Sequence, residues 1–255
     1  MKRLAQALVL LFVLWPLGAG AHFGVLVSSE DIVASGDPEV VVLSAAFMHP
    51  FDWRFMPMAK PRSLGVLTRG KKTDLLGALD RRKDDKAGFP WTLRYRVRSP
   101  GDHVFYMETA PYFEQAEGLF IIHYVKVVIG ALGLEDGWDH PAGLPAEIVP
   151  LSRPYGLWAG NVFQGTVLRD GKPVPGAAVE VEYLNPEHKV HAPKEAMATQ
   201  VIKTDANGVF TYAVPWGGWW GFSAPLRSDR TLERGGREFP VETGAVIWVR
   251  AQGRR

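Results

Sequence analysis

The stretch FQGTVLRDGKPVPGAAVEVEY, residues 163–183, decides the fold because it holds two strands and the turn between them. Phe163 to Leu168 is apolar and rich in β-formers, and Arg169 to Pro173 carries the glycine and proline that favour a turn. In Ala178 to Tyr183, apolar residues alternate with glutamates, which is the period of a strand with one buried and one wet face. The stretch therefore predicts an antiparallel β unit.

The same strand and turn signals recur on both sides of this stretch. Thr204 to Gly208 predicts a further hairpin turn, and Trp91 to Val97 alternates apolar with polar residues. No segment has a long helical period, whereas prolines crowd the segment Pro150 to Gly156, as in a junction. We therefore predict an all-β protein with two tandem β-sandwich domains, residues 22–155 and 156–255.

The first 21 residues have the features of a cleaved export signal. A basic start precedes an apolar core from Leu8 to Leu14, and Ala19-Gly20-Ala21 is a small-residue cleavage motif. Cleavage after Ala21 makes His22 the first residue of the mature chain, with a free α-amine and an imidazole on one residue. The sequence predicts an exported, periplasmic protein.

Charge and composition exclude several classes of function. Without Lys2 and Arg3, the 29 basic residues fall to 27, equal to the 27 acidic ones, so no nucleic-acid partner is expected. The chain has no cysteine, which removes thiolate metal sites and disulfides. Leu119 to Leu134 is too short and too charged to span a membrane, so we expect no transmembrane span in the mature form.

Three histidines are candidate metal ligands: His22, His49 and His123. His49 lies at a strand end before Pro50, and His123 lies in an apolar strand. Neutral imidazole and amine nitrogens suit Ni²⁺, Co²⁺, Cu²⁺ and Zn²⁺, and metal must displace protons from them, so affinity should fall on acidification. The alternative for each is an ordinary surface or core histidine.

Ordinary structural roles are expected for the other chemistry-bearing residues. His103 follows a turn and is predicted to be a solvated strand end, and His188 and His191 lie between prolines in a predicted solvated loop. The segment Glu135 to His140 is expected to be an acidic surface loop, although it and His103 could also contribute to a site. The tryptophans in 216–220 are expected to pack between the two sandwiches.

Two resemblances bear on function. Gly165 to Phe222 resembles the transthyretin-like or carboxypeptidase-regulatory-like module. Together with Met48 to Phe51, Phe120 to Tyr124, Gly160 to Gly165 and the signal ending at His22, the chain resembles the periplasmic accessory component of nickel and cobalt uptake systems of the energy-coupling-factor type. The resemblance implies Ni²⁺ or Co²⁺ binding by His22, His49 and His123, and delivery to a membrane metal-uptake transporter.

Two other functions stay open at the level of sequence. An N-terminal histidine chelated through its amine also builds the Cu²⁺ sites of lytic polysaccharide monooxygenases, so a copper-binding protein or copper oxidase is an alternative. A metal-free adhesion or scaffold module is another. The chain has no Gly-x-Ser-x-Gly elbow and no His-Glu-x-x-His helix, so we predict that it is not an enzyme.

Overall fold

The computed structural model describes residues 21–82 and 88–253, in which strands dominate the regular structure and the helices are short 3-10 turns. The predicted all-β class is therefore confirmed. Residues 1–20 of the predicted signal peptide lie outside the described residues. In the described ranges, no helix has the length and hydropathy that crossing a membrane requires.

The regular elements are strands and short 3-10 helices. In chain order the strands are β1 (Phe23–Ser28), β2 (Ile32–Val33), β3 (Val40–His49), β4 (Arg54–Phe55), β5 (Ser63–Thr68), β6 (Lys71–Asp74), β7 (Asp80–Arg81), β8 (Trp91–Arg96), β9 (Gly101–Glu108), β10 (Tyr112–Glu114), β11 (Leu119–Ala131), β12 (Ala146–Pro150), β13 (Leu157–Trp158), β14 (Val162–Arg169), β15 (Lys172–Pro173), β16 (Ala178–Tyr183), β17 (Gln200–Lys203), β18 (Val209–Ala213), β19 (Gly218–Arg234) and β20 (Arg237–Gln252). The 3-10 helices are Leu76–Ala78, Pro186–His188 and Glu195–Met197.

The strands form three sheets. The first sheet has the order β1-β3-β8-β7, with β4 beside β3. The middle sheet has the order β17-β16-β19-β20-β11-β9-β5-β6, with the short strands β2, β10 and β13 paired to its members. In the third sheet, β14 pairs with β12, β15 and β18.

The middle sheet contributes to two hydrophobic cores, one on each face, where β11 and β20 lie side by side. Val125 and Trp248 belong to the core that the middle sheet shares with the first sheet. Tyr124 and Ile247, their neighbours in sequence, belong to the core shared with the third sheet. Because successive side chains of a strand point to opposite faces, strands buried on both sides are mostly apolar. The result is two sandwich cores joined by one sheet.

Strand pairing continues across the predicted domain boundary near residue 155. β11 runs parallel to β20, in register from Phe120↔Val241 to Val127↔Trp248, and β12 pairs with β14. The division into 22–155 and 156–255 stays a prediction, while the pairing shows that the two halves share backbone hydrogen bonds.

The longest strands, β19 and β20, form a hairpin whose extent the sequence did not suggest. The apolar residues from Gly244 to Arg250 indicate a strand at this end of the chain, yet pairing extends to Arg234↔Arg237 around Gly235 and Gly236. The outer part of this hairpin is exposed and charged on both faces, so it lacks the alternation that marks a half-buried strand. The Gly-Gly pair is the turn signal that could have revealed it.

Candidate functional site

A large cleft opens where the first sheet ends above the middle sheet, with a volume of about 1420 Å³. Its wall and floor contain all three histidines predicted as ligands, and also His188 and His191. Six carboxylate residues and a single arginine are among the lining residues of the described chain: Asp52, Glu117, Glu180, Glu182, Glu195, Glu242 and Arg227. The cleft is therefore a site of imidazole and carboxylate chemistry.

The floor of the cleft is the face of the middle sheet that the first sheet leaves uncovered. On β16, Val179 and Val181 point into the core of the third sheet. Glu180 and Glu182 consequently point to the opposite face, together with Ser223 of β19, and line the cleft. A floor with glutamates in place of apolar residues cannot be covered by another sheet without burying charge.

His22 and His49 are neighbours across two antiparallel strands. β1 and β3 pair in the register Phe23↔Met48 and Gly24↔Phe47, which places residue 22 opposite residue 49. The ring centroids lie 4.6 Å apart, with the planes tilted by 49°. Metal–imidazole bonds of about 2.0–2.1 Å are typical, so one ion can reach a nitrogen of each ring. The first residue of the predicted mature chain thus meets the second predicted ligand.

His22 is oriented by a carboxylate that the sequence did not single out. Its Nε2 lies 3.1 Å from Glu114 Oε2, and both side chains are mostly buried. Burial lowers the pKa of His22, opposed chiefly by the Glu114 charge, so the ring is mainly neutral near pH 7. A neutral ring that donates from Nε2 has its lone pair on Nδ1, the nitrogen that can close a chelate ring with the α-amine.

His49 carries a buried ring nitrogen without a partner. The residue is 5% exposed, and its Nδ1 has no hydrogen-bond partner among the described residues. Burial, followed by the nearby His22 and Arg54, lowers the pKa of His49 to about 4, so the ring is neutral. A buried polar atom left unsatisfied costs about 1–3 kcal/mol. An ion bound between His49 and His22 would remove that cost.

His123 lies beside this pair but has its Nδ1 already engaged. Gly24 donates its backbone N–H to His123 Nδ1 at 2.8 Å, so the proton of the neutral ring is on Nε2. Ligand histidines almost always donate, rather than accept, through the nitrogen that does not bind metal. Burial lowers the pKa of His123 to about 3. The ligand role predicted for His123 stays a prediction, and the hydrogen bond favours a role in positioning β1.

Gly24 is needed for this close approach of β1 to the middle sheet. A Cβ at Gly24 would lie 2.7 Å from Val125 Cγ2 and 3.0 Å from His123 Cβ. On its other side, the Gly24 carbonyl accepts a hydrogen bond from Trp248 Nε1 at 2.9 Å. The backbone two residues beyond His22 is therefore fixed to β11 and β20.

Within the described part of the chain, no three histidine, cysteine, aspartate or glutamate side chains are grouped so that they could hold a metal ion by themselves. Two imidazoles meet at His22 and His49, so a metal site with three protein donors here would need one more donor. The α-amine that cleavage after Ala21 would create is bonded to the same Cα as the His22 side chain and would be within reach of such a site.

The carboxylates that line the cleft outnumber the cationic side chains beside them. Burial and then the Glu242 charge raise the pKa of Glu180 to about 7, and burial raises the pKa of Glu182 to about 7. Glu182 is 2% exposed and accepts hydrogen bonds from Phe51 N at 3.1 Å and from Thr199 Oγ1. The expectation that such glutamates lie on wet strand faces was wrong for Glu182, because its face of β16 is enclosed by the loop that follows.

That loop, residues 184–199, forms part of the cleft wall, and Asn185 fixes its position. The Asn185 amide donates to the carbonyls of Phe51 at 3.0 Å and Val190 at 2.8 Å, and accepts from Val190 N–H. His188 and His191 are exposed, as predicted, yet they line the cleft. Asn185 therefore joins the loop of residues 184–199 to the segment that follows His49.

The remaining histidines lie apart from the cleft. His103 was predicted to be a solvated strand end, but it is 1% exposed, with Tyr95 Oη 3.0 Å from Nδ1 and the Ser99 carbonyl 3.1 Å from Nε2. That prediction was wrong because the turn before β9 folds back over the ring. His140 is exposed in its acidic loop, as expected.

Most of the sequence matches one known protein family. Residues 19–228 match the family described as "Domain of unknown function (DUF4198)". No curated protein sequence matches the chain.

Comparison of structures finds remote similarities. A 1.5-MDa bacterial ice-binding adhesin is 8% identical, with 91% of this chain and 64% of that chain covered at a TM-score of 0.25. The D0-D1 domain of intimin is 13% identical, with 88% and 99% covered at 0.22. Salmonella alpha-2-macroglobulin is 15% identical, with 89% and 15% covered at 0.25. The chain thus spans less than two thirds of the adhesin chain. Similarity at TM-scores this low gives no information about function.

Proposed function

The chain belongs to the DUF4198 family, and from the cleft that this fold carries we propose a function in binding a divalent transition metal. The cargo is Ni²⁺ or Co²⁺, bound in the periplasm and delivered to a membrane uptake transporter. The observation that carries the proposal is the cross-strand pair of His22 and His49 with an unpartnered buried Nδ1. The transporter and the choice of metal rest on the sequence resemblance.

Three nitrogens form the proposed donor set: the α-amine and Nδ1 of His22, and Nδ1 of His49. Glu114 holds the His22 ring so that Nδ1 is free, which is the usual arrangement of a carboxylate behind a metal-binding imidazole. An all-nitrogen set without thiolates favours late first-row metals over Mg²⁺ and Ca²⁺. His123 supports the set by fixing Gly24.

Calorimetric titration of Ni²⁺ into the processed chain tests the proposal. We expect His49→Ala to weaken binding by at least tenfold, because it removes one of three donors. His123→Ala should lower the melting temperature but change the Kd by less than about threefold. Circular dichroism confirms that each variant is folded. Equal affinity of the wild type and His49→Ala would contradict the donor set.

A copper protein is the second candidate, and the same three nitrogens favour it. Cu²⁺ binds such donors more tightly than Ni²⁺ or Co²⁺ in direct competition, so the metal carried depends on supply. Hydrogen peroxide formation by copper-loaded protein with a reductant would favour an oxidase. The absence of peroxide with retained Ni²⁺ binding would favour a carrier.

A further inference from the structure

The cleft is far larger than a metal ion needs. About six waters of about 30 Å³ each surround a hydrated ion, so the ion would fill a small part of the 1420 Å³ available. Pockets of about 300–1,000 Å³ are usual for small organic ligands. The cleft therefore has room for an organic ligand beside the ion.

The charge of the cleft indicates which chemical group such an organic ligand carries. Glu180 has no ion-pair or hydrogen-bond partner among the described residues, and after burial the charges of Glu242 and Glu117 raise its pKa further. Burying such groups without cations is unfavourable unless a ligand supplies the positive charge. The unpartnered Nδ1 of His49, in the same cleft, is an independent sign that a ligand completes this site.

The two features lie at different parts of one cleft. His22 and His49 lie at the edge of the first sheet, whereas Glu180 and Glu242 lie on the floor of the cleft, which the middle sheet forms. Three protein nitrogens do not complete the coordination of Ni²⁺, so an ion held at the edge retains positions for a second ligand that extends over the floor.

We propose that the cargo is a metal ion already bound to a small amine-bearing chelator, whose ammonium group is held by Glu180 and Glu242 on the cleft floor. This inference rests on the proposed metal-binding function and names the class of its substrate. Glu180, which lacks a cationic partner among the described residues, gives the ammonium a charge-assisted hydrogen bond. Glu242, which lies opposite Arg227 on β19, adds the second carboxylate.

Two amino acids provide a matched pair of probes. Lysine and norleucine both chelate Ni²⁺ through the α-amine and carboxylate, and they differ in that lysine ends in an ammonium group. The measurement is the affinity of the processed chain for Ni²⁺ alone, Ni²⁺ with lysine and Ni²⁺ with norleucine. We expect the lysine complex to bind at least tenfold more tightly than the norleucine complex. The ratio should fall to about one in the Glu180→Gln/Glu242→Gln variant.

The outcomes separate this inference from the function on which it rests. Equal affinity for the two complexes, with tight binding of Ni²⁺ alone, would overturn the chelate proposal and leave metal binding intact. Lysine binding that does not depend on Ni²⁺ would also overturn it. Failure to bind Ni²⁺ in any form would overturn the proposed function itself. Glutamine retains the shape of glutamate and removes a repulsion, so the variant is expected to fold.

Discussion

At the scale of single residues, the proposed site depends on what surrounds each imidazole. His22, His49 and His123 all lie at the cleft, but their ring nitrogens differ in use. Glu114 accepts from His22 Nε2, Gly24 donates to His123 Nδ1, and His49 Nδ1 has no partner in the described ranges. In the proposed site, these contacts assign chelation to His22 and a second donor to His49, and they favour a positioning role for His123.

Glu114→Gln tests whether this carboxylate orients His22. We expect Ni²⁺ affinity to fall about 10–100-fold, the usual cost of losing a residue behind a metal-binding histidine. The matched control is Glu117→Gln, which removes an exposed charge close to His22 without a hydrogen bond to it. Calorimetry on both variants makes the comparison. Equal losses would mean that Glu114 acts only through its charge.

Part of this site can be predicted from the sequence. The amine and imidazole of His22 follow from the cleavage motif, and His49 from the strand end before Pro50. Glu114 could not be found in this way, because it ends a strand of only three residues, β10, whose pairing with β11 places it beside His22. The state of each ring nitrogen depends on tertiary contacts that no local pattern encodes.

At the scale of elements, β16 shows how one strand serves a core and a site. Its valines pack in the core of the third sheet, and its glutamates form the cleft floor. The alternation in Ala178 to Tyr183 predicted the strand correctly. It did not predict the environment of the polar face, because whether that face meets water depends on the loop after β16 and on the length of β19 and β20.

Glu180→Gln tests how much the buried charge of Glu180 lowers the free energy of unfolding. Glu180 ordinarily titrates near 4.5, and burial raises its pKa to about 7 in the folded chain. Between these values the folded state binds more protons than the unfolded state, so the free energy of unfolding falls as pH rises and levels off above about 7. The variant should gain roughly 1–3 kcal/mol at pH 8 and little at pH 4.

Urea denaturation at both pH values measures this difference. Glu238→Gln, on the exposed part of β20, is the control for the same substitution outside the cleft. A gain for Glu180→Gln that is as large at pH 4 as at pH 8 would contradict the origin assigned to it.

At the scale of the whole molecule, β11 and β20 are the common support of both cores and of the cleft. Their alternate residues pack against the first and the third sheet, and their ends carry His123 and Glu242. The all-β class and most strands follow from alternation and turn residues. The shared middle sheet does not, because the parallel pairing of β11 with β20 joins segments more than 100 residues apart.

This sharing predicts a single cooperative unfolding transition for the processed chain. Loss of either core would remove the strands on which the other packs, so neither half should unfold alone. Tryptophan fluorescence and far-ultraviolet circular dichroism, followed against urea, should give coincident curves. Two separated transitions would instead support independent domains divided near residue 155.

The most direct test of the account changes no side chain. Ni²⁺ is titrated into the chain that begins at His22 and into the same chain with one alanine added before it, which converts the α-amine to an amide. We predict that the added residue weakens binding at least 100-fold, because the amine is one of three donors, while the melting temperature of the metal-free protein stays the same. Equal affinity of the two chains would contradict the proposed site.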